Sequence, residues 1–130
     1  YLEREGVVLR DMPVEIGPDR VVGEPPDTVQ LVAPRGQRTV EQIVRVTDDW
    51  EVPVWVFKDR KLPIPENRRM KGVLGRVGIV LNGGTVIYAT PPTGPLADTS
   101  YVLPASVRAS AEDLLAIAEN VSRGMSVYFY

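Results

Sequence analysis

The 130-residue chain contains neither cysteine nor histidine. Without them it cannot form a disulfide, a Cys–His nucleophile pair or a Ser–His–Asp triad. Zinc sites built from cysteine and histidine, haem ligation by histidine and a histidine pH switch are excluded for the same reason. We therefore expect this protein to hold no metal ion and no cofactor.

Long apolar runs and a strong net charge are also lacking. No run approaches the roughly 20 apolar residues that cross a bilayer, so we expect no transmembrane segment. The net charge is −2 with both signs interspersed, which gives no electrostatic footprint for nucleic acid. The basic cluster at residues 68–71 is short, and we interpret it as a solvated loop. The composition, 44% hydrophobic and 25% charged, is typical of one soluble globular domain.

Twelve prolines and eleven glycines separate short runs rich in β-branched residues, which indicates a mostly-β domain. The clearest pair of strands is predicted at residues 76–81 and 85–90, because Asn82-Gly83-Gly84 between them favours a tight hairpin. Long surface loops are predicted at residues 58–72 and 91–104. The other predicted strands are residues 6–9, 20–23, 28–33, 39–46 and 125–130.

One helix is predicted after the second loop. Ser110 can cap its first turn, with Asp113 in the capping-box position. We expect Gly124 to end this helix. Its apolar face is predicted from four residues at helical spacing: Leu114, Leu115, Ala118 and Val121.

Three segments in the last third of the chain resemble the L,D-transpeptidase catalytic domain, a bacterial cell-wall cross-linking fold. Residues 87–91 read IYATP where the family typically has I-H-G-T-P. Residues 103–115 read LPASVRASAEDLL where it has S-H-G-C-I-R-M-S-x-E-D-L. Residues 124–130 read GMSVYFY where it has G-T-P-V-x-I-x. The resemblance implies a β-sandwich with one helix after the former catalytic loop.

Weaker matches upstream fall in the family's order, at residues 39–44, 53–57 and 74–76. We therefore expect a single domain over residues 1–130. The family's first strands are not recognisable, so residues 1–23 are candidates for an extension specific to this protein. The sequence leaves open whether they join the fold or form a docking arm.

The resemblance places no reactive group at the catalytic positions. Ser106 stands at the position of the nucleophilic cysteine, Pro104 at that of its histidine partner, and Tyr88 at that of a second histidine. A serine hydroxyl is negligibly ionised without a positioned base, so we predict no catalytic residue. A Ser–Lys arrangement stays open, since the three lysines, Lys58, Lys61 and Lys71, all lie before the hairpin.

Arg108 is the one functional-looking residue that this chain shares with the family motif. It could clamp a carboxylate in a ligand site with Tyr88 and Thr90. The preferred interpretation is structural, with the guanidinium paired to Asp98, to Glu112 or to loop carbonyls.

These observations predict a non-catalytic pseudoenzyme, acting as a structural or protein-binding subunit of an extracytoplasmic or membrane-associated assembly. The alternatives are a peptidoglycan-binding module and a Ser–Lys amidohydrolase. An open pocket around Arg108, Tyr88 and Thr90 would favour peptidoglycan binding, and a cleft filled by Pro104 and Tyr101 would favour the structural role. Because the chain opens at Tyr1 rather than at a methionine, we expect a processed or trimmed piece.

Overall fold

The frame of the protein is an eight-stranded sheet, seen in a computed structural model that describes residues 2–4, 7–10, 14–23, 25–26, 28–119 and 121–129. Its strands lie in the order β2-β1-β12-β6-β9-β10-β11-β3. They are β1 (Leu2–Arg4), β2 (Val7–Arg10), β3 (Glu15–Ile16), β6 (Gly36–Arg45), β9 (Val77–Leu81), β10 (Val86–Tyr88), β11 (Val107–Arg108) and β12 (Ser126–Phe129). Two small ribbons flank this sheet, β4 (Arg20–Val22) with β5 (Val29–Leu31) and β7 (Asp49–Glu51) with β8 (Arg69–Lys71).

The mostly-β prediction is confirmed, with 33% of residues in strands and 16% in helices. The predicted helix is present, and the described residues contain another that was not predicted, α1 (Val54–Arg60). Residues 54–57 are valine and aromatic, a composition that favours a strand, and packing overrides that propensity. Val56 and Phe57 are buried by the helical turn, and Lys61 ends it in the left-handed region at φ 56°.

The predicted hairpin is confirmed. Strands β9 and β10 pair antiparallel with Ile87 opposite Ile79, and residues 82–84 form the tight connection between them. Gly83 and Gly84 have φ of 78° and 80°, a region that disfavours side chains with a Cβ. The Asn-Gly-Gly sequence is therefore what this connection requires.

The second helix, α2 (Ala111–Ala118), begins as predicted. The Ser110 hydroxyl accepts a hydrogen bond from the Asp113 N–H at 3.1 Å. The helix ends at Ala118 and not near Gly124, which has φ 94° in the turn before β12. Leu115 is 37% exposed and not on the buried face, whose residues within the helix are Leu114, Ile117 and Ala118.

The basic cluster at residues 68–71 does not form a loop. Most of it is strand β8, which pairs antiparallel with β7 so that Lys71 lies opposite Asp49 and Arg69 opposite Glu51. Lys71 forms an ion pair with Asp49 at 2.6 Å, and Arg68 with Glu51 at 3.4 Å. Opposite charges across the ribbon therefore neutralise much of this cluster.

The N-terminal strands β1, β2 and β3 belong to the large sheet. Strand β1 pairs with β12, and β3 pairs with β11 at the other edge. Next to β3, the Gly17 N–H donates to the Ser106 carbonyl at 2.8 Å. The segment thus contacts the loop before β11, which contains Ser106.

Both faces of the central hairpin are buried. Because side chains alternate along a strand, Ile79 and Ile87 face a cluster that includes Leu114 and Ile117 of α2. Tyr88, one position further along, faces the opposite cluster, which includes Val56 and Phe57 of α1. The two helices therefore cover opposite faces of the hairpin.

Candidate functional site

The predicted site residues meet where β10 and β11 run parallel. This pairing places Ile87 beside Val107 and Tyr88 beside Arg108. Residues 89–106 connect the two strands and include Pro104 and Ser106. Parallel neighbours need a long crossover connection, so residues far apart in sequence come together here.

Ser106 is fully buried, with 0% of its surface exposed. Its hydroxyl oxygen accepts a hydrogen bond from the Val86 N–H at 3.1 Å. Within the described residues, none of its hydrogen bonds goes to an ionisable side chain. Pro104 is buried beside it, and Ala105 has φ of 60°, in the left-handed region that favours glycine. The Ser106 side chain therefore braces the backbone beside β10.

Tyr88 is likewise inaccessible, with 0% of its surface exposed. Its phenol oxygen accepts a hydrogen bond from the Leu103 N–H at 3.1 Å and donates one to the Tyr101 carbonyl at 3.4 Å. Burial raises the pKa of this phenol above its usual range, so it stays neutral. Tyr88 fills the cleft and does not line an open surface.

Both terminal nitrogens of the Arg108 guanidinium are engaged. One terminal nitrogen, Nη1, donates to the Thr99 carbonyl at 2.8 Å, the Tyr101 carbonyl at 3.1 Å and Thr90 Oγ1 at 3.3 Å. The other, Nη2, forms an ion pair with Glu15 at 2.8 Å, and the side chain is 11% exposed. Two of these partners are loop carbonyls, as the structural interpretation predicts, and Glu15 replaces the expected Asp98 or Glu112.

A groove of about 590 Å³ opens beside Arg108. It runs between β3 and the first turn of α2, and its polar wall includes Glu15, Thr90, Thr99, Ser110 and Asp113. Of the predicted ligand-binding residues, Arg108 and Thr90 line it and Tyr88 does not. The groove surface is mostly apolar, and its charged groups include the Glu15–Arg108 ion pair.

A second cluster fastens the loop at residues 91–104, and sequence reasoning missed it. The Tyr101 hydroxyl donates a hydrogen bond to the Asp59 carboxylate of α1. The same carboxylate forms an ion pair with Arg20 at 2.8 Å. The Arg60 guanidinium lies 4.3 Å from the centre of the Tyr101 ring and forms an ion pair with Asp98 at 3.2 Å. These contacts depend on α1, and no local sequence signal predicted that helix.

The protein is expected to lose stability at alkaline pH because Tyr101 and Tyr88 are buried. Burial, reinforced for Tyr101 by Asp59, raises both phenol pKa values, whereas an unfolded tyrosine titrates near pH 10. Their contribution is thus complete below about pH 10 and falls above it, by up to about 1.4 kcal/mol per pH unit for each phenol. Denaturant unfolding across this range should show that slope, and Tyr101→Phe should roughly halve it. An unchanged slope in Tyr101→Phe would contradict the assignment.

Comparison with protein-family models, with curated proteins and with solved structures gives no match. The resemblance to the L,D-transpeptidase domain accordingly stays a prediction.

Among the described residues, no helix has the length and apolar character to cross a membrane. The same part of the chain holds no group of three or more acidic side chains arranged to bind a metal ion.

Proposed function

We propose that this chain is a non-catalytic domain of L,D-transpeptidase-like fold, acting as a structural or protein-binding subunit of an extracytoplasmic or membrane-associated assembly. The observation that carries the proposal is the burial of Ser106 at the nucleophile position. A nucleophile must reach substrate and must lose a proton to a nearby base. The Ser106 oxygen is inaccessible and already accepts the Val86 N–H.

The side chains around Ser106 supply no base. Pro104 has no titratable group, and the hydrogen bonds of Ser106 go to no ionisable side chain among the described residues. Of the three lysines, Lys71 pairs with Asp49, and Lys58 and Lys61 are exposed at the end of α1. A Ser–Lys mechanism needs a lysine within hydrogen-bond reach of the hydroxyl, and the contacts of Ser106 include none.

The fastened loop supports a binding role. Enzyme loops that admit substrate usually open and close. Here Arg108 holds the carbonyls of Thr99 and Tyr101, while Asp59 holds the Tyr101 hydroxyl. A surface held by such contacts is pre-organised, which lowers the entropy lost on binding a partner.

The groove beside Arg108 is the surface we assign to the partner. Its volume of about 590 Å³ and its mostly apolar surface with a few polar groups are typical of a site for a short peptide segment. The polar residues Thr90 and Arg108 in its lining favour the second candidate function, in which the domain holds peptidoglycan without cutting it.

Filling the groove tests its role. Ala111 lines the groove and is exposed, so Ala111→Trp should block it without touching the core. Ala116 is exposed on the same helix and outside the groove, which makes Ala116→Trp the matched control. Tagged chains are used to retrieve complexes from detergent-solubilised membranes. We expect one stoichiometric complex whose retention falls about tenfold or more in Ala111→Trp and is unchanged in Ala116→Trp.

Parallel assays separate the alternatives. Saturable binding to intact peptidoglycan sacculi that is lost in Ala111→Trp, with no protein complex, would favour the wall-binding module. Cleavage or exchange of stem-peptide amides that disappears in Ser106→Ala would contradict the non-catalytic proposal. A complex that both tryptophan variants retain equally would remove the groove from the interface.

A further inference from the structure

The exposed side of α1 continues into an unusual apolar segment. Residues 61–67 are all exposed, the longest such run in the described part of the chain. Within it Leu62 is 42% exposed and Ile64 48%, and each is followed by an exposed proline. Single exposed apolar side chains are ordinary, whereas two such residues alternating with prolines form a continuous apolar ridge.

The backbone holds this ridge away from the core. Lys61 ends α1 in the left-handed region, and the Leu62 N–H then donates to the Phe57 carbonyl at 2.9 Å. Pro63 and Pro65 restrict both their own φ and the residues before them to extended conformations. Leu62 and Ile64 are therefore presented to solvent by a constrained chain.

The charge around the ridge is positive, unlike that of the remaining chain. Residues 54–71 contain six of the 15 Lys and Arg residues and two of the 17 Asp and Glu residues. This segment thus carries +4, and the rest of the protein carries −6. Arg60, Arg68 and Lys71 are already in ion pairs.

The lysines nearest the ridge are not neutralised. Lys58 and Lys61 are exposed and have no ion-pair partner among the residues that the structure describes. Arg69 on β8 is also exposed. Residues four apart share a helix face, so Val54 and Lys58 extend the apolar and basic surface along α1.

We propose that this surface, the 54–71 face, docks on an anionic lipid bilayer. Leu62 and Ile64 enter the boundary between headgroups and acyl chains, and Lys58 and Lys61 contact lipid phosphates. A nucleic acid would match the lysines and leave the apolar ridge in water, whereas a neutral apolar groove would leave the lysines without partners. An anionic bilayer matches the lysines and the apolar ridge together, because the long lysine side chains reach the headgroups while Leu62 and Ile64 insert.

Docking by this face goes beyond the protein-binding role and does not depend on it, since the groove beside Arg108 involves other residues. The test is co-sedimentation of the whole chain with phosphatidylcholine vesicles that contain or lack phosphatidylglycerol. We expect binding only to the anionic vesicles. It should weaken steeply as salt rises from about 0.1 M to about 1 M, which shortens the Debye length from about 10 Å to about 3 Å.

Paired variants test which residues are responsible. Lys58→Gln with Lys61→Gln should weaken binding by about fivefold for each lysine, and Leu62→Ser with Ile64→Ser by about tenfold or more. The matched controls change exposed residues elsewhere: Arg35→Gln with Arg123→Gln, and Val32→Ser with Val46→Ser. We expect both controls to bind within about twofold of the parent.

Insertion can be read directly, because the chain contains no cysteine. An environment-sensitive fluorophore on Ile64→Cys should shift to the blue on anionic vesicles, and one on Val32→Cys should not. Absence of vesicle binding, equal binding to neutral vesicles, or equal losses in the control variants would overturn the proposal. Binding without a shift at position 64 would also overturn it, since the ridge would then remain in water.

Discussion

Gly17→Ala is expected to lower the free energy of unfolding by about 3 kcal/mol or more. A Cβ on Gly17 would overlap the carbonyl oxygen of Leu103 and stand 3.1 Å from the Pro104 Cα. Both obstacles are backbone, so relief requires separation of β3 from the loop before β11. That movement would also break the 2.8 Å hydrogen bond from the Gly17 N–H to the Ser106 carbonyl.

Urea unfolding of Gly17→Ala measures this loss, and Gly36→Ala is the control. A Cβ on Gly36 would meet nothing within 4 Å, although Gly36 has φ of 70°. The control should therefore show only a conformational cost of about 1–2 kcal/mol. Equal losses in the two variants would indicate that steric overlap with the former catalytic loop contributes nothing.

Tyr88→Ala is expected to cost about 3–5 kcal/mol, comparable to deletion of another large aromatic side chain from a core. Tyr88 is fully buried in the cluster that contains Val56, Phe57 and Leu103. Its removal leaves a cavity under the loop and leaves the Leu103 N–H without its hydrogen-bond acceptor.

Tyr88→Phe separates these two effects. Phenylalanine keeps the packing and removes only the phenol oxygen, so we expect a loss of about 1–3 kcal/mol for the unpaired Leu103 N–H. Thermal or urea unfolding measures both variants. A Tyr88→Ala protein as stable as the parent would show that the Tyr88 position is open to solvent. The cleft would then be an open pocket and not a closed one.

Three contacts hold the loop before β11 in place. Tyr88 is buried against it, Arg108 donates hydrogen bonds to two of its carbonyls, and the Tyr101 hydroxyl donates to Asp59. Each contact joins segments that are distant in sequence. Stability of the loop and persistence of the groove are therefore expected to change together in variants of these residues.

Local signals were sufficient for several elements. The Asn-Gly-Gly turn predicts the β9–β10 hairpin because glycine alone adopts positive φ without cost. The Ser110–Asp113 pair predicts the start of α2, because a hydroxyl three residues before an N–H can cap it. The absence of histidine and cysteine excluded the family's thiolate chemistry without any structure.

Tertiary packing decided the rest. Residues 54–57 favour a strand locally, and burial of Val56 and Phe57 makes them helical. The pairing of Glu15 with Arg108 spans 93 residues, and that of Asp59 with Tyr101 spans 42, so neither has a local signature. The sequence by itself determined that Ser106 lacks a histidine partner. Only the fold decided that Ser106 and Tyr88 are buried, because burial depends on which distant segments cover them.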